Sequence, residues 1–107
     1  MTTATIVAEL IAALNDLNPA VRRSAAETLG ELEEAQAVEP LICALKDSDT
    51  DVRVHVALGL GMIGDVSATV PLTYALKEEE DEAVKGALET ALDMVKKKVM
   101  GKKMRVF

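Results

Sequence analysis

The chain reads as an all-α protein, an α-α superhelix built from three helix pairs, about six helices in all. Three observations predict this. The segments LIAAL (10–14), LICAL (41–45) and LTYAL (72–76) recur at a spacing of 31 residues, and a second, matching element follows each of them. Within the copies, apolar residues fall at i, i+3, i+4 and i+7, the spacing of one helix face. Half of the 107 residues are apolar, yet there is one Tyr, one Phe and no Trp, so aliphatic side chains and Ala must fill the core.

The first copy spans about residues 3–34. Val7, Leu10, Ile11 and Leu14 make the buried face of its first helix. Asn18 is a good N-cap, and Pro19 stands at the first position of the second helix, where a missing N–H costs nothing. Val21, Ala25, Leu29 and Leu32 form the face of that helix. The second copy, about 35–65, repeats the pattern with Val38, Leu41, Ile42 and Leu45, and Pro40 is tolerable in an opening turn. Asp49 caps its second helix, and Gly64 stands where a left-handed C-terminal residue is wanted. The third copy, about 66–98, predicts helices over 67–77 and 81–98, with one extra residue between Leu76 and Val84. It carries Leu92–Asp93 where the others have Leu29–Gly30 and Leu60–Gly61. Residues 1–98 read as a single domain of three repeats, and a basic and apolar tail, 99–107, follows it.

The stretch AVEPLICALKDSDTDVRVHVALGLGMIGD, 37–65, resembles a HEAT-like repeat of the phycobilisome-lyase type, and the likeness extends over roughly residues 6–95. That resemblance implies a right-handed stack of antiparallel helix pairs whose second helices line a concave surface. It also implies a structural ladder between neighbouring repeats. Acidic residues at the turns, Asp16, Asp47 and Glu78, would meet the basic residues Arg22, Arg53 and Lys85.

On that template the helix DVRVHVALGLGMIGD, 51–65, poses a question. Val52, Val56, Ala57, Leu60 and Ile63 are its core positions, and Gly61 permits close helix approach. Val54, Leu58 and Met62, four apart on another stripe, should then look into the concave surface. The first copy has Arg23, Glu27 and Glu31 at the same places, and the third has Gly86, Thr90 and Met94. Burial of such apolar side chains is worth about 1.5–3 kcal/mol each, so a cover is expected. Another protein, a second copy, or the tail with Val99, Met104, Val106 and Phe107 would each serve. The alternative is a rotated helix whose stripe is ordinary core. His55 belongs to the rim of this face. At the N-terminus the helix of about Thr3–Asn15 bears one charge, Glu9, with Ala4, Ala8 and Ala12 away from its large apolar residues. Terminal repeats need a polar outer face. End-to-end stacking of two molecules would cover this one, and a bare small-residue surface is the competing reading.

Charge and inventory exclude several classes. The net charge is −6, but residues 1–95 hold all 18 acids against six bases, and 96–107 hold six bases and no acid. An acidic body is unsuited to nucleic acid. The basic end suits the negative end of a helix dipole. No apolar run approaches the ~20 residues of a membrane span. The N-terminus lacks a basic segment ahead of its apolar run, and Cys43 is the lone cysteine, so a cytoplasmic protein without disulfides is expected. One His and one Cys cannot make a His/Cys metal set. DSDTD (47–51) opens like a calcium loop, but Val52 and Leu58 stand where Gly and Glu are required. EEEDE (78–82) reads as a solvated turn. No cofactor, metal or catalytic residue is expected. The leading reading is a non-catalytic protein–protein interaction module. Its concave face would use Val54, Leu58, Met62, His55 and Met94 beside Arg23, Glu27 and Glu31. An accessory subunit for bilin attachment or removal on phycobiliproteins is the alternative that the family resemblance implies. A purely structural homodimer is the third reading.

Overall fold

The computed structural model describes residues 2–104, with side chains described through Gly101. Among the described residues six α-helices follow one another: α1 (Thr3–Ala13), α2 (Pro19–Glu31), α3 (Val38–Ala44), α4 (Thr50–Ile63), α5 (Thr69–Glu78) and α6 (Glu82–Met104). Short 3-10 turns at Ala35–Ala37 and Val66–Ala68 lead into α3 and α5. Among the described residues there is no strand.

Local chemistry starts each second helix in the same way. Asn18 accepts the Ala20 N–H at 2.9 Å, Asp49 the Val52 N–H at 3.0 Å and Asp81 the Val84 N–H at 3.1 Å. Each cap satisfies one N–H that the first turn leaves without a partner. Two residues upstream, Asp16, Asp47 and Glu79 each accept the N–H of that cap residue at 2.8–3.1 Å. α4 ends at Gly64, which adopts φ 70°, a conformation that glycine reaches without the Cβ penalty. Glu33 holds the matching place in the first copy with φ 52°.

The repeat-equivalent pairs Leu29 and Leu60, and Leu41 and Leu72, are fully enclosed and fill one continuous core, which Leu88 extends into the third copy at the place of Val56. α4 lies at its centre and packs most extensively on α2 and α6. The first helices behave differently, since α3 scarcely touches α1 or α5. Glycine explains the tight side. A Cβ placed on Gly59 would come within 2.9 Å of the Ala26 carbonyl oxygen, and one on Gly61 within 2.9 Å of the Ala91 Cα. Second helices thus approach nearly backbone to backbone while first helices splay. The stack therefore bends toward the α2–α4–α6 side, giving a slab with extents of 46 × 40 × 16 Å.

Two sequence expectations change. The third pair runs past residue 98, because α6 is continuous through Met104 with Val99 half-buried against the core. Residues 99–104 therefore extend the helix and do not fold back over the concave side; Val106 and Phe107 lie outside the described residues. The acidic ladder also shifts. Glu79, not Glu78, occupies the third acidic place, because the extra residue of the third copy is absorbed in the last turn of α5, which ends at Glu78.

Candidate protein-binding face

The concave surface is made by the outward sides of α2, α4 and α6. Val54, Leu58 and Met62 do lie on one stripe of α4, yet each is half-buried rather than open. The flanking helices come close enough to shield their edges. Met62 leans over the α2 backbone, with its Sδ 3.2 Å from where a Cβ of Gly30 would stand. Met94 repeats the arrangement one repeat later, its Sδ 3.0 Å from a Cβ position on Gly61. Both methionines thus fill the space that a glycine opens, a use suited to a flexible, polarisable side chain. Val52, Val56, Ala57, Leu60 and Ile63 are buried, and the stripe itself is partly buried, with Val54 and Leu58 packed against the core. The middle of the face is a shallow apolar strip, sealed at its base and open at its top.

Around the strip the side chains are polar. Arg23 on α2 reaches Asp51 on α4 at 3.1 Å, with both groups well exposed. Glu27 and Glu31 are exposed and form no ion pair among the described residues. The His55 Nδ1–H donates to the Asp51 carbonyl at 2.8 Å, which pins the ring to the start of α4. On α6, Gly86 and Thr90 are exposed, so that flank is low near the start of the helix and rises at Met94. Lys98 closes the far end. Its ammonium pairs with Glu33, and it donates to the Met62 carbonyl at 3.2 Å, while its stem lies over Gly64. Lys98 holds the Glu33 carboxyl below its ordinary range by that hydrogen bond and charge.

The inter-repeat ion pairs sit at the opposite end of the helices. Arg22 donates from Nε and Nη2 to Asp47 at 2.8 and 3.1 Å, and Arg53 does the same to Glu79 at 2.9 and 3.1 Å. Their remaining guanidinium nitrogens hold the Asp16 and Asp47 carbonyls at 2.7 and 2.8 Å. Burial alone pushes the Asp47 carboxyl up, but Arg22 and the Asp49 N–H outweigh it and the group ends below its usual range. Glu79 is lowered chiefly by Arg53, against a smaller opposing effect of burial. The outermost members differ. Lys85 meets only Glu82, one turn away at 3.6 Å, and the Asp16 carboxylate has no inter-repeat cation among the described residues. These groups fasten repeats together and stand apart from the apolar strip.

Other large apolar side chains are more exposed, Leu17 in the turn before α2 most of all. Val66, Val70 and Tyr74, four residues apart, are each more than half exposed along the approach to α5 and its outer side. Between α3 and α5 is a groove of about 580 Å³, lined by Ile42, Leu45, Pro71, Tyr74 and Ala75 with Glu78 and Glu80 on its rim. Sequence reasoning passed over both features, although the spacing of 66, 70 and 74 was a visible signal. Among the described residues no group of three or more His, Cys, Asp or Glu is placed to hold a metal ion. None of the described helices is long and apolar enough to cross a membrane.

The family model for HEAT repeats matches residues 7–93, which is most of the chain. The chain belongs to the HEAT-repeat family. A comparison with curated proteins finds no match. HEAT repeats generally serve protein–protein interaction and are generally non-catalytic.

Proposed function

We propose that this HEAT-repeat protein is a non-catalytic interaction module that binds an apolar segment of another protein on its concave face. The observation that carries the reading is the half-open strip of Val54, Leu58 and Met62, bordered by Met94 and by the acidic pair Glu27 and Glu31. A strip one side chain wide, flanked by polar rims, fits the apolar edge of a helix or strand. The two methionines can adjust to its shape. Arg23 and His55 are placed at one end to set its orientation. The narrower phycobilisome-lyase reading gains no support from the family match or from the geometry.

The test is comparative capture from the native host with three baits: the wild type, Leu58→Glu on the concave face and Val70→Glu on the outer side of α5. A partner retained by wild type and Val70→Glu but lost with Leu58→Glu is the expected result. Equal retention by all three baits would remove the concave face from the account.

A further inference from the structure

The three repeats are alike enough that each position can be compared with its equivalents, and one side of the first repeat stands out. Val21 is 37% exposed, whereas its equivalents Val52 and Val84 are each 1% exposed. Leu32 is 48% exposed, against 7% for Ile63 and 2% for Val95. Ile6 is 42% exposed, and the matching Ala37 and Ala68 are fully enclosed. The third repeat has no repeat after it within the chain, yet its positions are buried. What the second and third repeats share, and the first lacks, is a repeat packed on their N-terminal side.

The polar contacts show the same break. The Asp47 and Glu79 carboxylates each receive a two-point guanidinium from the preceding repeat, while among the described residues the equivalent Asp16 carboxylate receives only the Asn18 N–H. The opposite end of the stack is built otherwise. Ala26 and Gly30, with their equivalents Ala57 and Gly61, let the next helix come close. In α6 those places are taken by the exposed acids Glu89 and Asp93. The C-terminal face therefore carries exposed charge where the inner repeats carry small residues, and the N-terminal face exposes apolar side chains.

We propose that the N-terminal face, centred on Ile6, Val21 and Leu32, is a second docking surface that accepts an α-helical hairpin of another protein as if it were a preceding repeat. The occupant carries small residues on its packing helix and an arginine at the rim for Asp16. Continuity with the two interfaces already inside the chain sets this chemistry. A second copy is a poor occupant. Its C-terminal face would bring Glu89 and Asp93 against Ser24, Thr28 and Glu31, and its N-terminal face would set Asp16 and Glu31 among like charges. This surface shares Glu31 with the flank of the concave strip but none of its apolar residues, so Val21→Glu and Leu58→Glu test the two proposals independently.

The test uses a donor made from the chain itself: Glu89→Ala and Asp93→Gly open its C-terminal face, Lys85→Arg supplies the guanidinium, and Val21→Glu blocks its own N-terminal face. The donor's helicity is checked by circular dichroism before use. Mixed with wild type in sedimentation velocity, it should form a 1:1 complex at twice the 11.4 kDa monomer mass. The complex should vanish when the acceptor carries Val21→Glu, and weaken about tenfold, ~1.4 kcal/mol, when it carries Asp16→Asn. A folded donor that stays monomeric with wild type at 100-fold excess would overturn the proposal. A wild-type dimer that Val21→Glu dissociates would overturn it too, by giving the face to a second copy.

Discussion

Replacing Gly59 with Ala should destabilise the protein, although the same change at Gly86 should stabilise it. Both residues lie inside helices, where Ala is preferred over Gly by about 1 kcal/mol. At Gly86 that preference acts alone, because nothing lies within 4 Å of the new Cβ. At Gly59 the Cβ would stand 2.9 Å from the Ala26 carbonyl oxygen, and ordinary contact begins at 3.4 Å. The obstacle is backbone, so no rotamer change relieves it, and α2 and α4 must separate by about half an ångström. Overpacking of this kind costs typically ~1–3 kcal/mol, which offsets the propensity gain of about 1 kcal/mol and leaves a net loss of about 1 kcal/mol, at most ~2. Thermal and urea unfolding followed by circular dichroism read both variants, and a domain of this size shifts by roughly 4–8 °C per kcal/mol. Gly59→Ala should melt several degrees below wild type, and Gly86→Ala above it. Should Gly59→Ala gain stability as Gly86→Ala does, the second helices do not pack backbone to backbone, and the concave face built on that packing loses its basis.

Other outcomes follow from the same contacts. Arg53→Ala should cost about 1–3 kcal/mol in urea unfolding, because it strands the mostly buried Glu79. Arg23→Ala, which breaks an exposed pair, should cost under ~1 kcal/mol. Because Asp47 and Glu79 titrate below their usual ranges in the folded chain, their contribution is complete above the unfolded carboxylate pKa of about 4. It is lost as pH falls through the depressed folded values. Stability measured by urea unfolding at a series of pH values should therefore drop below about pH 4, and Arg53→Ala should flatten part of that drop. Gly64→Ala should lose at least ~1 kcal/mol in thermal unfolding, since it strains a φ of 70° and drives a Cβ into the Lys98 side chain.

The architecture was legible because its causes are local and repeated. Caps at Asn18 and Asp49, the left-handed Gly64 and the 31-residue recurrence each act within a few residues or one repeat. The ladder was legible except where spacing alone decides. Counting 31 residues from Asp47 gives Glu78, but the inserted residue extends α5 and hands the role to Glu79. The state of the strip was not legible. Whether Val54, Leu58 and Met62 are open depends on how close α2 and α6 come, and that distance is set by Gly30, Gly59 and Gly61 acting across repeats. Lys98 was missed for a similar reason: it serves α4 and the Glu33 turn, both remote in sequence. The exposed face at Ile6, Val21 and Leu32 emerged only once exposure could be compared between equivalent positions.

The most direct test of the concave-face assignment is the methyl NMR spectrum of the protein labelled at methionine, recorded while the partner retained by the wild-type bait is added. Met62 and Met94 report the strip, and Met100, exposed on the far part of α6, serves as the internal control. The account predicts that the Met62 and Met94 signals shift or broaden together at stoichiometric partner while Met100 stays in place. Binding that moves Met100 and leaves Met62 and Met94 unchanged would contradict it.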